Sequence, residues 1–212
     1  MKQIVAINAS PRPNWNTGTL VQEAANGACS AGAETTVHNL YQIGHFTGCI
    51  SCFGCKLPNH RGSCICQDAL TPILERIRYA DGLILGTPIY LGNTTSGFRS
   101  FYERLLFQFV TYKTSPKSYN THRIPVLLIM TSNAPVEFYP TIGYDEMVSS
   151  YQRMFDERIG PTKILLCGNT LQVPDYQKYD WSLFDSGAKI ERHNTIFPEE
   201  KKVAFQLGAE LI

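Results

Sequence analysis

The 212-residue sequence predicts an α/β fold in which a parallel sheet carries helices on both faces. Short apolar runs of strand length alternate with longer segments whose apolar residues recur at helical spacing, and this alternation is typical of βαβ units. Hydrophobic residues make up 43% of the chain and charged residues 17%, which is a globular composition. Length and composition together favour a single domain over residues 1–212.

Five strand-like runs build the predicted sheet, and they are Gln3–Asn8, Thr35–Asn39, Gly82–Gly86, Pro125–Thr131 and Lys163–Cys167. The helical patterns cover Thr17–Ala31, Leu70–Tyr79, Gly97–Phe109, Asp145–Ile159 and Glu199–Leu211. For five parallel strands of this size the expected spatial order is 2-1-3-4-5. The segments Phe138–Tyr144 and Pro174–His193 are rich in Tyr, Asp and Gly, so we predict long loops there.

The charge and hydropathy patterns exclude several classes of protein. A net charge of +1 with no basic block gives no support for nucleic-acid binding. No apolar stretch is long enough to span a membrane, and the amino-terminal segment lacks the apolar region of a signal peptide. We therefore expect a cytoplasmic protein, whose seven cysteines are reduced, metal-bound or redox-active rather than paired in structural disulfides.

The segment after the first strand has the composition of an anion-binding loop. A phosphate group needs several donors on one side, and small hydroxyl and amide residues supply them while the following helix adds free backbone N–H groups. A loop that only caps the helix would need one such residue. Neither G-x-G-x-x-G nor G-x-x-x-x-G-K-S/T occurs here, so we expect neither a Rossmann dinucleotide site nor a P-loop. The candidate phosphate-binding residues are Ser10, Arg12, Asn16, Thr17, Gly18 and Thr19.

Two further loops are expected at the same edge of the sheet. In the proposed order the first and third strands flank the topological switch, where ligands of open α/β sheets bind. The loop after the third strand offers an apolar wall with a glycine, formed by Pro88, Ile89, Tyr90, Leu91, Gly92 and Asn93. The loop after the fourth strand adds Thr131, Ser132 and Asn133 as a third wall.

Several segments in the first half of the chain resemble one known family. They are Ser10-Pro11-Arg12 with Asn16-Thr17, the run from Cys49 to Lys56 with Gly62-Ser63-Cys64, Ala80-Asp81-Gly82, Thr87-Pro88-Ile89-Tyr90, and Gly97-Phe98 with Phe101. Together they resemble the NADPH-dependent FMN reductase and iron–sulfur flavoprotein branch of the flavodoxin-like superfamily. Beyond Asn133 the resemblance rests on the order of the elements alone.

The resemblance implies a flavodoxin-like three-layer sandwich that binds FMN. In that family the loop containing Ser10 binds the FMN phosphate, and the loop Pro88–Thr94 contacts the isoalloxazine ring. The resemblance also implies a homodimer or homotetramer in which a partner subunit completes the flavin pocket.

Five of the seven cysteines lie close together in the sequence, at Cys49, Cys52, Cys55, Cys64 and Cys66. Thiolates spaced by two residues can converge on one metal site. The resemblance to iron–sulfur flavoproteins suggests a [4Fe–4S] cluster held by Cys49, Cys52, Cys55 and Cys64, with Cys66 as the alternative fourth ligand. The eight residues between Cys55 and Cys64 make a longer gap than the family's compact motif usually has. Reduced thiols without metal are an equal alternative, and zinc is a third.

The resemblance implies an oxidoreductase, and we predict one that passes electrons from NAD(P)H through FMN to a small acceptor such as a quinone or a flavin. No side-chain acid or base is assigned, because the flavin carries the chemistry. An alternative is an iron–sulfur flavoprotein that carries electrons between protein partners. A further alternative is a non-catalytic flavin-binding redox sensor.

Overall fold

The computed structural model describes residues 1–212 and contains a central parallel sheet. Its parallel strands are β1 (Gln3–Asn8), β2 (Glu34–Asn39), β3 (Gly82–Tyr90), β5 (Val126–Thr131) and β6 (Thr162–Cys167). They lie in the order β2-β1-β3-β5-β6, and the short strand β4 (Asn93–Thr94) pairs antiparallel with the end of β3. The predicted order of five parallel strands is confirmed.

Helices cover both faces of the sheet, as predicted for a three-layer sandwich. The helices are α1 (Asn16–Ser30), α2 (Thr71–Arg78), α3 (Ser96–Phe107), α4 (Tyr139–Ile142), α5 (Tyr144–Arg158), α6 (Ser186–Thr195) and α7 (Phe197–Ala209). Alternate residues of β3 enter the two cores because successive strand side chains point to opposite faces. Ile84 packs with α1 and α7, whereas Leu83 and Leu85 pack with α2, α3 and α5. None of the helices combines the length and the apolar character that crossing a bilayer requires.

Strand β3 runs four residues further than the sequence predicts. The prediction ends at Gly86 because Pro88 has no backbone N–H to donate to a ladder. In the structure Pro88 lies opposite Thr131 of β5, and the strand continues to Tyr90. This extension carries Ile89 and Tyr90 to the rim of the sheet, where a ligand of an open α/β sheet binds.

The prediction of long loops is wrong in two places. Residues 139–142 form α4, and the second half of the segment Pro174–His193 forms most of α6. Asp185 caps α6, since its Oδ1 atom accepts hydrogen bonds from the N–H groups of Gly187 at 2.8 Å and Ala188 at 3.2 Å. This cap stabilises the helix start although Gly187 lies in the first turn and lowers the helical propensity.

Candidate functional site

A crevice of about 190 Å³ opens at the carboxyl ends of β1, β3 and β5, at the predicted switch point. Four loops line it. From the loops after β1, β3 and β5 come most of the predicted residues, namely Ser10, Arg12, Asn16, Thr17, Pro88, Ile89, Tyr90, Thr131, Ser132 and Asn133. The remaining predicted residues, Gly18, Thr19, Leu91, Gly92 and Asn93, do not line the crevice.

The crevice also has a fourth wall, which the sequence did not predict. It consists of Thr170, Leu171 and Gln172, which follow β6, and Trp15 stands between it and the first loop. The position of β6 in the predicted sheet could have indicated this wall, because the carboxyl end of the fifth parallel strand reaches the same edge of the sheet as the others.

Ser10 shapes the turn that leaves β1. Its backbone N–H donates to Asn8 Oδ1 at 3.1 Å, and its hydroxyl accepts from the Arg12 N–H at 3.1 Å. The side chain of Asn8 also donates to Asn39 of β2 at 2.8 Å, so the turn is anchored to the sheet. Ser10 lines the crevice but is only 4% exposed, and its hydroxyl also donates to the Arg12 carbonyl at 3.1 Å.

The amino end of α1 points its first-turn N–H groups at this turn. Trp15 occupies the N-cap position, no side chain caps the helix, and the first turn contains no acidic residue. These N–H groups have no partner within the helix and carry the positive end of its dipole. Gly18 lies behind the loop rather than in it, since a Cβ atom there would stand 1.7 Å from the Pro13 carbonyl oxygen. Such a close approach requires glycine.

Side-chain hydrogen-bond donors join the loop after β1 to the loop after β6. The Trp15 indole donates to the Leu171 carbonyl at 2.8 Å, and the Asn16 amide donates to the same oxygen at 2.7 Å. The Arg12 guanidinium donates to the Gln172 carbonyl and stacks over the Trp15 ring at 5.2 Å. Asn16, which the sequence marks as a phosphate donor, therefore positions the loop with its side chain.

The start of α1 and the end of β5 meet through a buried pair of hydroxyl groups. Thr17 and Thr131 lie 2.8 Å apart, and each is almost fully buried. Ser132 is held by Tyr139 of α4, whose hydroxyl lies 2.8 Å from the serine hydroxyl. The third loop is thus fixed from the α4 side as well.

The turn between β3 and β4 projects beyond the crevice. Leu91 and Gly92 both have positive φ, at 50° and 81°, which fits a two-residue hairpin turn of the primed type. The Leu91 side chain is fully exposed, and the Asn93 side chain turns inward to accept a hydrogen bond from Tyr151 at 2.8 Å. Asn93 therefore braces the turn, while Tyr90 and Ile89 form the apolar wall.

The crevice is suited to an anion attached to a planar apolar group. Its lining contains the guanidinium of Arg12 and no Asp or Glu. Ser10, Asn16 and Thr17 bring polar groups from the turn after β1 and the start of α1, while Pro88, Ile89 and Tyr90 supply apolar surface from β3.

A second, much smaller cavity, of about 20 Å³, is lined by all five clustered cysteines, Cys49, Cys52, Cys55, Cys64 and Cys66. The backbone bends sharply around Cys52, because both Ser51 and Phe53 have positive φ. No three His, Cys, Asp or Glu side chains converge tightly enough to hold a single metal ion. All seven cysteines are free.

Arg104 of α3 supplies a buried positive charge to the cysteine cavity. It is 1% exposed and pairs with Asp68 at 2.5 Å, and it also donates to the Cys66 carbonyl at 2.8 Å. Its Nε atom is buried without a hydrogen-bond partner. A buried N–H of a charged group is rarely left unpaired, so an acceptor in this cavity would complete its bonding.

Burial keeps two of these thiols protonated in the metal-free chain. Burial raises the pKa of the Cys49 thiol, against a hydrogen bond from the Ser51 N–H, and the neighbouring thiols Cys55, Cys64 and Cys52 raise it further. Burial likewise raises the pKa of Cys66, although Arg104 opposes this shift. A metal bound by these thiols must displace their protons.

A parallel sheet in this strand order, with a polar turn after β1 and an apolar wall at the end of β3, defines a flavodoxin-like α/β protein. Residues 2–135 match the family model described as NADPH-dependent FMN reductase, and the chain belongs to this family. The predicted family resemblance is confirmed.

Curated relatives are iron–sulfur flavoproteins. One from Methanocaldococcus jannaschii is 35% identical over 102 residues, which cover 48% of this chain and 51% of that protein. One from Archaeoglobus fulgidus is 31% identical over 104 residues, which cover 48% of each protein. The chain thus spans about half the length of the curated relatives it matches.

A solved structure extends the likeness over the whole fold. An NAD(P)H:quinone oxidoreductase from Methanothermobacter marburgensis superposes with a TM-score of 0.69 and covers 99% of this chain and 96% of that one. Its sequence identity is 12%, so it shows a shared fold alone.

Proposed function

We propose that this protein is an FMN-dependent oxidoreductase that takes electrons from NAD(P)H and passes them to a small acceptor such as a quinone or a flavin. The single observation that carries the proposal is the crevice at the β1/β3 switch, which combines an uncapped helix end, the Arg12 guanidinium and an apolar wall without any acidic residue. Membership of the NADPH-dependent FMN reductase family supports the same activity. We further propose that residues 1–212 form one domain and that it works in the cytoplasm, where free thiols persist.

The residues of the crevice divide the binding of FMN between them. Backbone N–H groups of Asn16 and Thr17, with the Ser10 hydroxyl and Arg12, would hold the phosphate. Ile89 and Tyr90 would lie against the ring, and Thr131–Asn133 would face it from the next strand. Bound FMN would supply the hydride and electron chemistry, and the chain's own task is to fix the ring and leave one face open to substrates.

A steady-state assay tests this activity. Apoprotein reconstituted with FMN should oxidise NADH or NADPH with quinone, nitro or free-flavin acceptors, and it should show flavin absorption bands. Bound FMN with negligible NAD(P)H oxidation for all these acceptors would contradict the proposed enzyme and favour the redox-sensor alternative. Failure to bind FMN at all would contradict the site itself.

A second candidate function is electron transfer through FMN and a [4Fe–4S] cluster. It is favoured by the cavity that gathers five cysteines around a buried guanidinium whose Nε lacks a partner. Cys49, Cys52, Cys55 and Cys64 would hold the cluster, and the unpaired Nε–H of Arg104 would supply a hydrogen-bond donor in the same cavity. The curated relatives in the same family are iron–sulfur flavoproteins, which supports this candidate. The cluster itself would supply one-electron transfer.

Purification without oxygen separates the two candidates. The cluster predicts iron and acid-labile sulfide, together with broad absorption that a reductant bleaches. Cys55→Ser should remove this iron, whereas Cys29→Ser should not, because Cys29 is exposed on α1 and lies outside the cavity. Freshly prepared protein that contains flavin but no iron would exclude the cluster and leave the first proposal standing.

We also propose a homodimer or homotetramer as the working assembly, and small molecules rather than nucleic acids or membranes as partners. The exposed apolar side chains Phe138 and Ile142, next to the third loop, support a subunit contact beside the crevice.

A further inference from the structure

Lys189 of α6 is a buried lysine that the proposed activity does not use. Its side chain is 2% exposed. The ammonium group donates to Asn169 Oδ1 at 2.7 Å, and it also reaches the carbonyl oxygens of Asn133 at 3.3 Å and Thr170 at 3.5 Å. The ring of Phe184 lies beneath it, with the centroid 4.9 Å from Nζ.

The acceptors of Lys189 belong to two walls of the crevice. Asn133 lies in the loop after β5 and Thr170 in the loop after β6, and both line the crevice. A backbone hydrogen bond also pairs these two loops, since the Thr170 N–H donates to the Ser132 carbonyl at 3.0 Å. Lys189 joins the same two loops through its hydrogen bonds to the Asn169 side-chain oxygen and to the Asn133 and Thr170 carbonyl oxygens.

The charge of Lys189 has no counter-ion in the protein. All three of its acceptors are neutral oxygens, and it forms no ion pair with a carboxylate. The charged group acting on it is Arg192 of the same helix, and that guanidinium is already paired with Glu200 of α7. The nearby Cys167 thiol of β6 stays protonated, because burial raises its pKa. A buried ammonium without an opposite charge is unfavourable, and an anion in the crevice would offset it.

We propose that Lys189 is a positioning residue of the crevice: it holds the Asn133 and Thr170 walls together, and its charge strengthens the binding of an anionic ligand. This inference rests on the proposed FMN site, where the ligand's phosphate is the anion. It assigns a role to a helix beyond residues 2–135, which the family model matches.

The inference has a pH signature that a merely structural lysine would not have. Burial, together with a smaller effect of the nearby Arg192 guanidinium, lowers the pKa of Lys189 from 10.5 to about 8. An anion binds the charged form better, so FMN affinity should fall as the pH rises through 8. The stability of the apoprotein should change in the opposite direction. The unfolded chain keeps its proton up to about 10.5, so this lysine's contribution to stability rises between the two values.

FMN titration of the apoprotein, followed by quenching of flavin fluorescence, tests the inference at pH 7 and pH 9. Wild-type protein should bind FMN up to about tenfold more weakly at pH 9, which is the loss of the protonated fraction across one pKa. Lys189→Met should show that weaker binding already at pH 7 and no further change with pH. Lys189→Arg keeps its charge and should restore tight binding at both pH values. Lys202→Met is the matched control, because Lys202 is exposed and pairs with Glu199 on α7.

The outcomes separate this inference from the proposed function. A flat wild-type profile, or a Lys189→Met variant that binds FMN as well as wild type, would overturn the role of Lys189 while the FMN site stands. Lys189→Arg binding as weakly as Lys189→Met would also overturn it. Wild-type protein that binds no FMN would overturn both. The wild-type pH profile decides the matter even if Lys189→Met fails to fold.

Discussion

Ser10 and Arg12 act on the same turn by different means. The Ser10 hydroxyl closes the turn by local hydrogen bonds, whereas Arg12 reaches across to the Gln172 carbonyl and leaves its charge at the crevice. A phosphate bound here would gain charge-assisted hydrogen bonds, which are stronger than neutral ones.

The double variant Ser10→Ala with Arg12→Ala should weaken FMN binding by about 100-fold, since it removes a hydroxyl and a charged donor worth about 1–3 kcal/mol each. Riboflavin, which lacks the phosphate, should bind this variant and wild type alike. Isothermal titration with both ligands measures the difference, with Arg99→Ala as the control because Arg99 forms a surface pair with Glu103 on α3. Unchanged FMN affinity in the double variant would refute the phosphate loop.

Leu91 holds a left-handed backbone conformation without burying its side chain. Leu91→Asn should therefore raise the free energy of unfolding by about 1 kcal/mol, because Asn tolerates this conformation at the first position of a primed turn. If Leu91 covers the flavin ring, as the sequence predicts, the same variant should weaken FMN binding severalfold. Urea unfolding and FMN titration measure the two effects, with Leu183→Asn as an exposed control. A loss of stability would contradict the turn assignment.

For single residues, the sequence predicts which residue types form the site better than it predicts what each side chain binds. Small polar residues after the first strand indicate an anion site, and the structure brings most of them to one crevice. The sequence does not reveal that the Asn16 amide is used by the Leu171 carbonyl, because that partner lies in a distant loop. Lys189 has no local pattern that marks it as buried, since its acceptors come from two other strands' ends.

Among the elements, the cysteine segment depends on α3 for its shape. It contains only short turns of 3-10 helix, at Gly54–Lys56 and Pro58–His60, and hydrogen bonds from side chains fix it in place. Arg104 donates to Asp68 and to the Cys66 carbonyl, while Gln108 accepts from the Cys64 N–H at 3.1 Å.

Asp68→Asn should lower the free energy of unfolding by about 3 kcal/mol at pH 7, because it leaves the buried Arg104 guanidinium without its counter-charge. Urea denaturation of the purified protein measures this loss. Asp180→Asn, at an exposed position, serves as the control and should change stability by less than about 0.5 kcal/mol. Equal stability of the two variants would show that the ion pair does not fasten the segment.

The predicted elements are accurate where the periodicity is long and clear, as for β1 and the helix over residues 144–158. The sequence misses α6 because Ser186-Gly187 lowers the helical propensity and the Asp185 cap has no apolar run after it. It ends β3 too early because a proline normally interrupts a ladder, whereas here Pro88 stands at the rim beside Thr131. Tertiary context outweighs local preference at both places.

For the molecule as a whole, the family resemblance implies an assembly of two or four copies. Sedimentation velocity should show a dimer or tetramer at micromolar concentration, and Phe138→Ser with Ile142→Ser should shift the population toward monomer. These side chains are 54% and 45% exposed, and exposed apolar groups of this size are typical of subunit contacts. Val203→Ser on α7 is the control, being similarly exposed on another helix. A fully active monomer would contradict the proposed assembly.

The hydrogen bond between Asn16 and Leu171 links positions 155 residues apart, so the turn after β1 is fully bonded only once these two segments have met. The turn and its helix precede, in chain order, both the Leu171 carbonyl that orients them and the helix α7 that packs on α1. Contacts of such long sequence separation slow folding. A growing polypeptide on the ribosome would consequently complete the proposed flavin site only after Leu171 and helix α7 have emerged.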